Sequence, residues 1–245
     1  MIPKIIHQTW KTNEIPNIWL YGVNKCKQLH KEYKYILWTD ELMNDFIKKE
    51  YPAYYDMYIS YKYMIQRCDA FRYFVLYKYG GIYLDLDIIC KHKLDELFNY
   101  EIVLGKSPNM NIITNSFIMS SKKNDLMLYC IKNLNKNNNN YKYLGKHLHV
   151  MYSTGPMFLN KCVNEYIKKI NHTHIHILNK YEFYNDCNTC NIKKCKGGKY
   201  FKNLEGKSWN SYDTKFINFI NCNKQVILFL IIILIIYFFY HNQLH

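Results

Sequence analysis

The stretch from Arg67 to Asp87, RCDAFRYFVLYKYGGIYLDLD, decides the reading of this 245-residue chain. Tyr63 to Tyr79 has helical periodicity, with Met64, Cys68, Phe71 and Val75 at helical spacings on one apolar stripe. Gly80-Gly81 supplies the stop, because glycine tolerates the left-handed conformation that closes a helix. Ile82 to Ile89 then alternates with period two, sending Ile82, Leu84 and Leu86 to one side and Tyr83, Asp85 and Asp87 to the other. Asp85 and Asp87 are therefore expected on one strand face. Paired hard oxygens suit Mn²⁺ or Mg²⁺, and charges among so many Ile and Leu side chains are unfavourable unless paired or metal-bound. Asp69 and Arg72, three apart on the helix, share a face that reaches the end of the strand. An Arg donates to phosphates or sugar hydroxyls, and an Asp accepts from hydroxyls. The competing readings are an edge strand with solvated acids and an ordinary ion pair on a helix surface.

Outward from this unit, residues 2–7 and 35–38 read as strands, and Thr39-Asp40 as the start of a helix over 41–50 that Pro52 ends. Residues 101–104, 116–119 and 176–178 read as further strands, and 125–134 and 157–170 as helices. Asn135–Asn140 is a low-complexity loop, and 184–199 is loop-like. Strands alternating with helices predict an α/β domain over 1–215, a linker over 216–225 and an apolar helix over 226–240.

The composition, 49% hydrophobic, excludes a disordered chain. The net charge of +14 suits a phosphate-bearing ligand, nucleic acid or anionic lipid alike, or is simply a solvated Lys-rich surface. No basic block long enough for a nucleic-acid arm is present, so no nucleic-acid partner is expected. The nine cysteines are odd in number and the first five are scattered, which predicts free thiols in a reducing compartment rather than a disulfide framework. Cys187, Cys190 and Cys195, with His172, His174 and His176 nearby, leave three readings open: zinc, free thiols or one local disulfide. Asn171-His172-Thr173 is a glycosylation sequon, relevant only to a luminal domain. No signal-peptide pattern precedes the first strand. Val226–Tyr240 is an unbroken apolar run of 15 residues. At about 22 Å it is shorter than a hydrocarbon core of about 30 Å, yet it is apolar on every face. It reads as a single-pass membrane anchor in preference to a buried helix. Lys215 and Lys224 precede the run and no Lys or Arg follows it, which predicts a cytosolic rather than luminal domain.

The run Arg67–Asp87 resembles the signature of glycosyltransferase family 32, the DXD sugar-binding glycosyltransferases. This family includes yeast initiating mannosyltransferases and inositol-phosphoceramide mannosyltransferases. Ile2–Trp10 looks like the family's first strand and Trp38-Thr39-Asp40 its second, while Asn115, Thr154-Gly155-Pro156 and Ser208-Trp209 resemble later landmarks. The resemblance implies a GT-A fold with a Rossmann-like nucleotide-binding sheet. It implies retaining, metal-dependent transfer of a hexose (mannose, galactose or similar) from a GDP- or UDP-sugar to a glycan, sphingolipid or glycoprotein acceptor. By that resemblance Trp10 stacks on the base, Asp69 and Arg72 hold the donor sugar, Asp85 contacts ribose or sugar and assists the metal, and Asp87 binds the metal. Asn115, Ser208 and Trp209 complete the donor site. Many members carry a metal-ligating His shortly before the Ser-Trp pair. This chain has none there; Asn203, Glu205 or the Ser208 hydroxyl can supply the missing oxygen, and Glu205 is the expected replacement because a carboxylate is the strongest hard ligand among them. The alternative is a catalytically degenerate, membrane-anchored nucleotide-sugar-binding or scaffold protein.

Overall fold

Strands and helices alternate through most of the chain, as its hydrophobic periods predict. In this computed structural model the described residues are 1–107, 112–138, 141, 143–169, 174–184, 187, 190, 192–204, 206 and 208–243. The chain runs β1 (Ile5–Thr9), α1 (Asn17–Leu29), β2 (Lys34–Trp38), α2 (Asp40–Glu50), α3 (Pro52–Ile59), α4 (Met64–Tyr79), β3 (Gly81–Leu84) and β4 (Ile88–Cys90). A 3₁₀ turn, Asp95–Asn99, leads to β5 (Ile102–Lys106), β6 (Ile113–Ser120), α5 (Asp125–Asn138), α6 (Gly145–Ser153) and α7 (Pro156–Lys169). β7 (Ile175–Leu178), β8 (Phe201–Asn203) and α8 (Tyr212–Gln243) follow. The central sheet has six strands in the order β2-β1-β3-β6-β5-β7, and β4 pairs with β8 in a separate two-stranded sheet. β1 lies parallel to both β2 and β3, whereas β6 is antiparallel to its neighbours β3 and β5.

α4 is the central helix. Every residue from Asp69 to Leu76 is buried, because α2, α3 and α5 pack around it and its remaining face lies against the sheet. The single apolar stripe read from the sequence therefore understates its burial. Phe71, Tyr73 and Phe74 are fully enclosed, each stabilising the fold by on the order of 2 kcal/mol. Gly80 and Gly81 have φ of 64° and 101°, and a Cβ on Gly81 would lie 2.6 Å from the carbonyl of Ile5. Only glycine fits there. His7 of β1 holds this corner: Nε2 meets the Gly80 carbonyl at 3.0 Å and Trp38 Nε1 donates to Nδ1 at 3.1 Å. Burial lowers its pKa to about 4, which keeps the ring neutral.

Several expectations need correction. The strand 82–89 is two strands. β3 stops at Leu84, Ile88 N bonds Asp85 O at 3.2 Å to close a turn, and β4 leaves for the other sheet. The helix before Pro52 does end, at Glu50, but Pro52 also begins a further helix, its fixed φ fitting the first turn. α5 continues through Asn138, into the supposed loop. The stretch 216–225 is helical and belongs to α8 without a break.

The cysteines differ most. Cys26–Cys90, Cys187–Cys195 and Cys190–Cys222 are disulfides, and Cys68, Cys130 and Cys162 are free. Free thiols are thus the wrong reading for six of the nine, and the pairing of Cys187, Cys190 and Cys195 leaves no thiolates for zinc. The sequon and His172 lie outside the described residues. α8 is long and apolar enough to cross a membrane, and Val226 to Ile236 expose their side chains on every face. Beyond the Cys222 disulfide, the helix from Asn223 to Gln243 measures about 31 Å. That length matches a hydrocarbon core, which the apolar run alone does not.

Candidate active site

The carboxyl ends of β1 and β3 meet where the chain turns to β2 on one side and to β3 on the other. Open α/β sheets gather ligands at such a divergence. A cavity of about 510 Å³ opens there. Trp10, Asp69, Arg72, Asp85, Asp87, Asn115, Ser208 and Trp209 all line it. Every site residue expected from the sequence is therefore brought together except Glu205, which lies outside the described residues.

Arg72 organises the floor. Nη2 donates to Asp69 Oδ1 at 2.7 Å, Nη1 donates to the Asn115 carbonyl and lies 3.5 Å from Asp85 Oδ1, and Nε reaches the Cys68 carbonyl at 3.4 Å. The guanidinium stacks 4.4 Å from the centre of the Tyr83 ring, whose hydroxyl meets Thr9 Oγ1 at 2.9 Å. Burial opposes its charge, but Tyr83, Asp85 and Asp69 outweigh that and keep it protonated. Asp69 Oδ1 also accepts from Asn115 Nδ2 at 2.9 Å, and Oδ2 from Thr154 Oγ1 at 3.4 Å. Burial raises its pKa to about 6 against the opposing pull of Arg72. The surface ion pair admitted by the sequence is thus a buried network, with Asp69 and Arg72 4% and 2% exposed.

Asp85 and Asp87 sit on the turn after β3, not on a continuous strand. Asp85 is anchored by its backbone: its N–H donates to Ser116 O at 2.9 Å and its carbonyl accepts from Gln8 Nε2 at 3.3 Å. Burial in the cleft raises the pKa of both carboxyls, that of Asp87 to about 7, with Asp85 adding to the effect by its charge. Among the described residues Asp87 has no ion-pair partner. Two adjacent carboxylates held against their preferred pKa form a hard-oxygen donor set that fits a divalent cation. Among the described residues no group of three His, Cys, Asp or Glu is arranged to hold a metal ion. Gly206 lies directly against Asp87: a Cβ added there would overlap Oδ2. That close approach sets Gly206 on the carboxylate.

Trp10 packs edge-on against Trp19, with ring centres 4.9 Å apart. Trp209 stacks on His147 at 5.4 Å, and its carbonyl accepts from Lys146 Nζ at 2.7 Å. The sequence reading missed Thr9, Tyr83, His147 and Lys146. Tyr83 carried a signal, since it alternates onto the same side as Asp85 and Asp87. The α6 residues carried none, because only tertiary packing brings α6 to the cavity.

Residues 16–104 match the family model for the glycosyltransferase sugar-binding region containing the DXD motif. The chain is 38% identical over 234 residues to inositol phosphoceramide mannosyltransferase 3 of Schizosaccharomyces pombe, covering 94% of this chain and 62% of that protein. It is 33% identical over 231 residues to inositol phosphoceramide mannosyltransferase 1 of the same yeast, covering 93% and 68%. The chain thus spans roughly two thirds or less of the length of these relatives. A solved structure, the PaToxG glycosyltransferase, superposes with a TM-score of 0.53 at 20% identity, covering 69% of this chain and 72% of that one. The likeness establishes the fold as the GT-A arrangement. By sequence match and by fold, this chain belongs to the glycosyltransferases whose sugar-binding region contains a DXD motif.

Proposed function

We propose that the protein is a membrane-anchored, metal-dependent, retaining mannosyltransferase that uses a nucleoside-diphosphate sugar and glycosylates the headgroup of a sphingolipid. The observation that carries this is the buried constellation of Asp69, Arg72 and Asn115 beside Asp85 and Asp87. The names of the yeast relatives support the sugar and the acceptor. Asp85 and Asp87 hold a divalent cation, with Glu205 a candidate third ligand. A cation held there would supply positive charge against that developing on the departing diphosphate. Arg72, locked by Asp69 and the Asn115 carbonyl, presents fixed positive charge to the donor without reorganising. Asp69 and Asn115 meet sugar hydroxyls, and Trp10 offers an aromatic surface to the base. The acceptor oxygen forms a bond to the anomeric carbon on the face from which the bond to the diphosphate oxygen breaks. Its proton passes to that oxygen, so no protein nucleophile is required.

The three disulfides favour an oxidising compartment. We therefore place the domain on the luminal side, against the orientation suggested by Lys215 and Lys224. The test is transfer by the purified full-length chain in detergent, with Mn²⁺, GDP-mannose, a UDP-sugar panel and inositol phosphoceramide, read by mass spectrometry of the lipid. A mannosylated lipid that disappears in Asp85→Ala and Asp87→Ala is expected. Wild-type protein that binds no donor with Mn²⁺ refutes the proposal. It would favour the second reading, a non-catalytic binding or scaffold protein, for which the specific observation is a described donor set of only two carboxylates.

A further inference from the structure

A second cavity, of about 730 Å³, lies behind the first. Its volume falls within the range of small-ligand sites. The two cavities share Asp87, Gly206 and Trp209 as a common wall. At its far side the second is bounded by Thr214, Lys215 and Asn218 of α8. From Asn218 to the start of the apolar run at Val226 is about 12 Å along the helix. The cavity therefore stands between the donor site and the place where α8 enters a bilayer.

The root of α8 is held rigidly to the domain. Asp213 Oδ2 accepts from the His147 N–H at 2.7 Å, Thr214 Oγ1 meets His147 Nδ1 at 3.2 Å, and the Cys190–Cys222 disulfide ties the next turns to Cys190. The cavity wall is thus fixed relative to the membrane helix. Its chemistry is graded: a carboxylate, Asp87, at the donor end and a cation, Lys215, at the membrane end. Amides of Asn203, Asn210 and Asn218 also line the cavity. Asn203 Oδ1 is buried without a hydrogen-bond partner among the described residues. A buried acceptor left unsatisfied is unfavourable, and a ligand hydroxyl would relieve it.

We infer that this second cavity is the acceptor subsite and takes the polyol-phosphate headgroup of a membrane lipid, with the phosphate at Lys215 and the ring hydroxyls directed past Asn203 towards Asp87. The inference rests on the proposed glycosyl transfer and names the acceptor-binding part of it. The grading gives one orientation. A phosphate at Lys215 meets a cation and stays on the side from which its lipid tail must come. Only the polyol then faces the wall shared with the donor cavity.

The test is direct binding to the full-length protein in detergent, by calorimetry, with myo-inositol 1-phosphate as the probe and inorganic phosphate as its control. Asn218→Trp fills the cavity, and Lys215→Glu reverses the charge at an exposed site that folding does not depend on. Both are expected to weaken myo-inositol 1-phosphate at least tenfold and to change GDP-mannose binding with Mn²⁺ less than twofold. Vesicles containing a phosphoinositol lipid should compete with the probe, and vesicles of phosphatidylcholine should not. Wild-type affinity for the probe in both variants, or equal affinity for inorganic phosphate, overturns the assignment. The probe is read without the donor, so its loss is distinguishable from failure of the donor site, which Asp87→Ala reports separately.

Discussion

If Asp87 has a carboxyl raised to about 7, metal binding must be coupled to proton release. At pH 6 the metal-free carboxyl is about 90% protonated and at pH 8 about 10%. Binding of Mn²⁺ should therefore release about 0.9 proton at pH 6 and about 0.1 at pH 8, and the affinity should fall about tenfold between pH 8 and pH 6. Asp85, shifted in the same direction, adds to the release at the acid end. The effect on stability has a defined sign. The raised carboxyl holds a proton that the unfolded chain gives up between about pH 4 and pH 7. Metal-free wild type should thus lose stability as pH rises through 7, relative to Asp87→Asn, and Mn²⁺ should remove that difference. The assay is calorimetry at pH 6, 7 and 8 in buffers of different ionisation enthalpy, with thermal unfolding alongside. A Mn²⁺ affinity that is flat between pH 6 and 8 would refute the reasoning, because it requires an Asp87 carboxyl near its ordinary 3.8.

Four other outcomes follow from the geometry. Arg72→Lys keeps the charge but loses the fork that joins Asp69, Asn115 O and Cys68 O. It should destabilise by about 3 kcal/mol and lower the unfolding temperature by roughly 6–12 °C, with donor binding lost; an unchanged melting curve counts against the network. Gly206→Ala places a methyl on the Asp87 carboxylate, so Mn²⁺ should bind about tenfold more weakly while the exposed loop leaves unfolding unchanged. Equal Mn²⁺ affinity in that variant would mean that the segment does not press on Asp87. Alkylation of denatured, unreduced protein from its native source should label three cysteines, and nine after reduction. Nine labelled without reduction would place the domain in a reducing compartment. With the disulfides formed, the joint change Cys26→Ser and Cys90→Ser should destabilise by about 4 kcal/mol, since that bridge closes a separation of 64 residues.

Local pattern was enough for a good part of this molecule. The 3.6-residue period of 63–79, the Gly-Gly stop and the alternation after it depend only on neighbours in sequence. They correctly placed α4, β3 and the two carboxylates near Asp69 and Arg72. The resemblance along Arg67–Asp87 then indicated the family. What the local pattern could not supply was termination: Ile82–Ile89 alternates without interruption, yet β3 ends at Leu84 because the partner of Ile88–Cys90 is β8, more than a hundred residues on. Nor does a linear chain reveal which thiols meet. Cys26 and Cys90 have Cα atoms 5.0 Å apart only because α1 lies against β4, and Cys190 finds Cys222 only because α8 is seated on α6. The expected site residues of the first cavity were legible because each stands in a short, chemically explicit motif. The second cavity was not, because its walls come from segments whose proximity is a property of packing, and a surface formed by packing has no signature in any one of them.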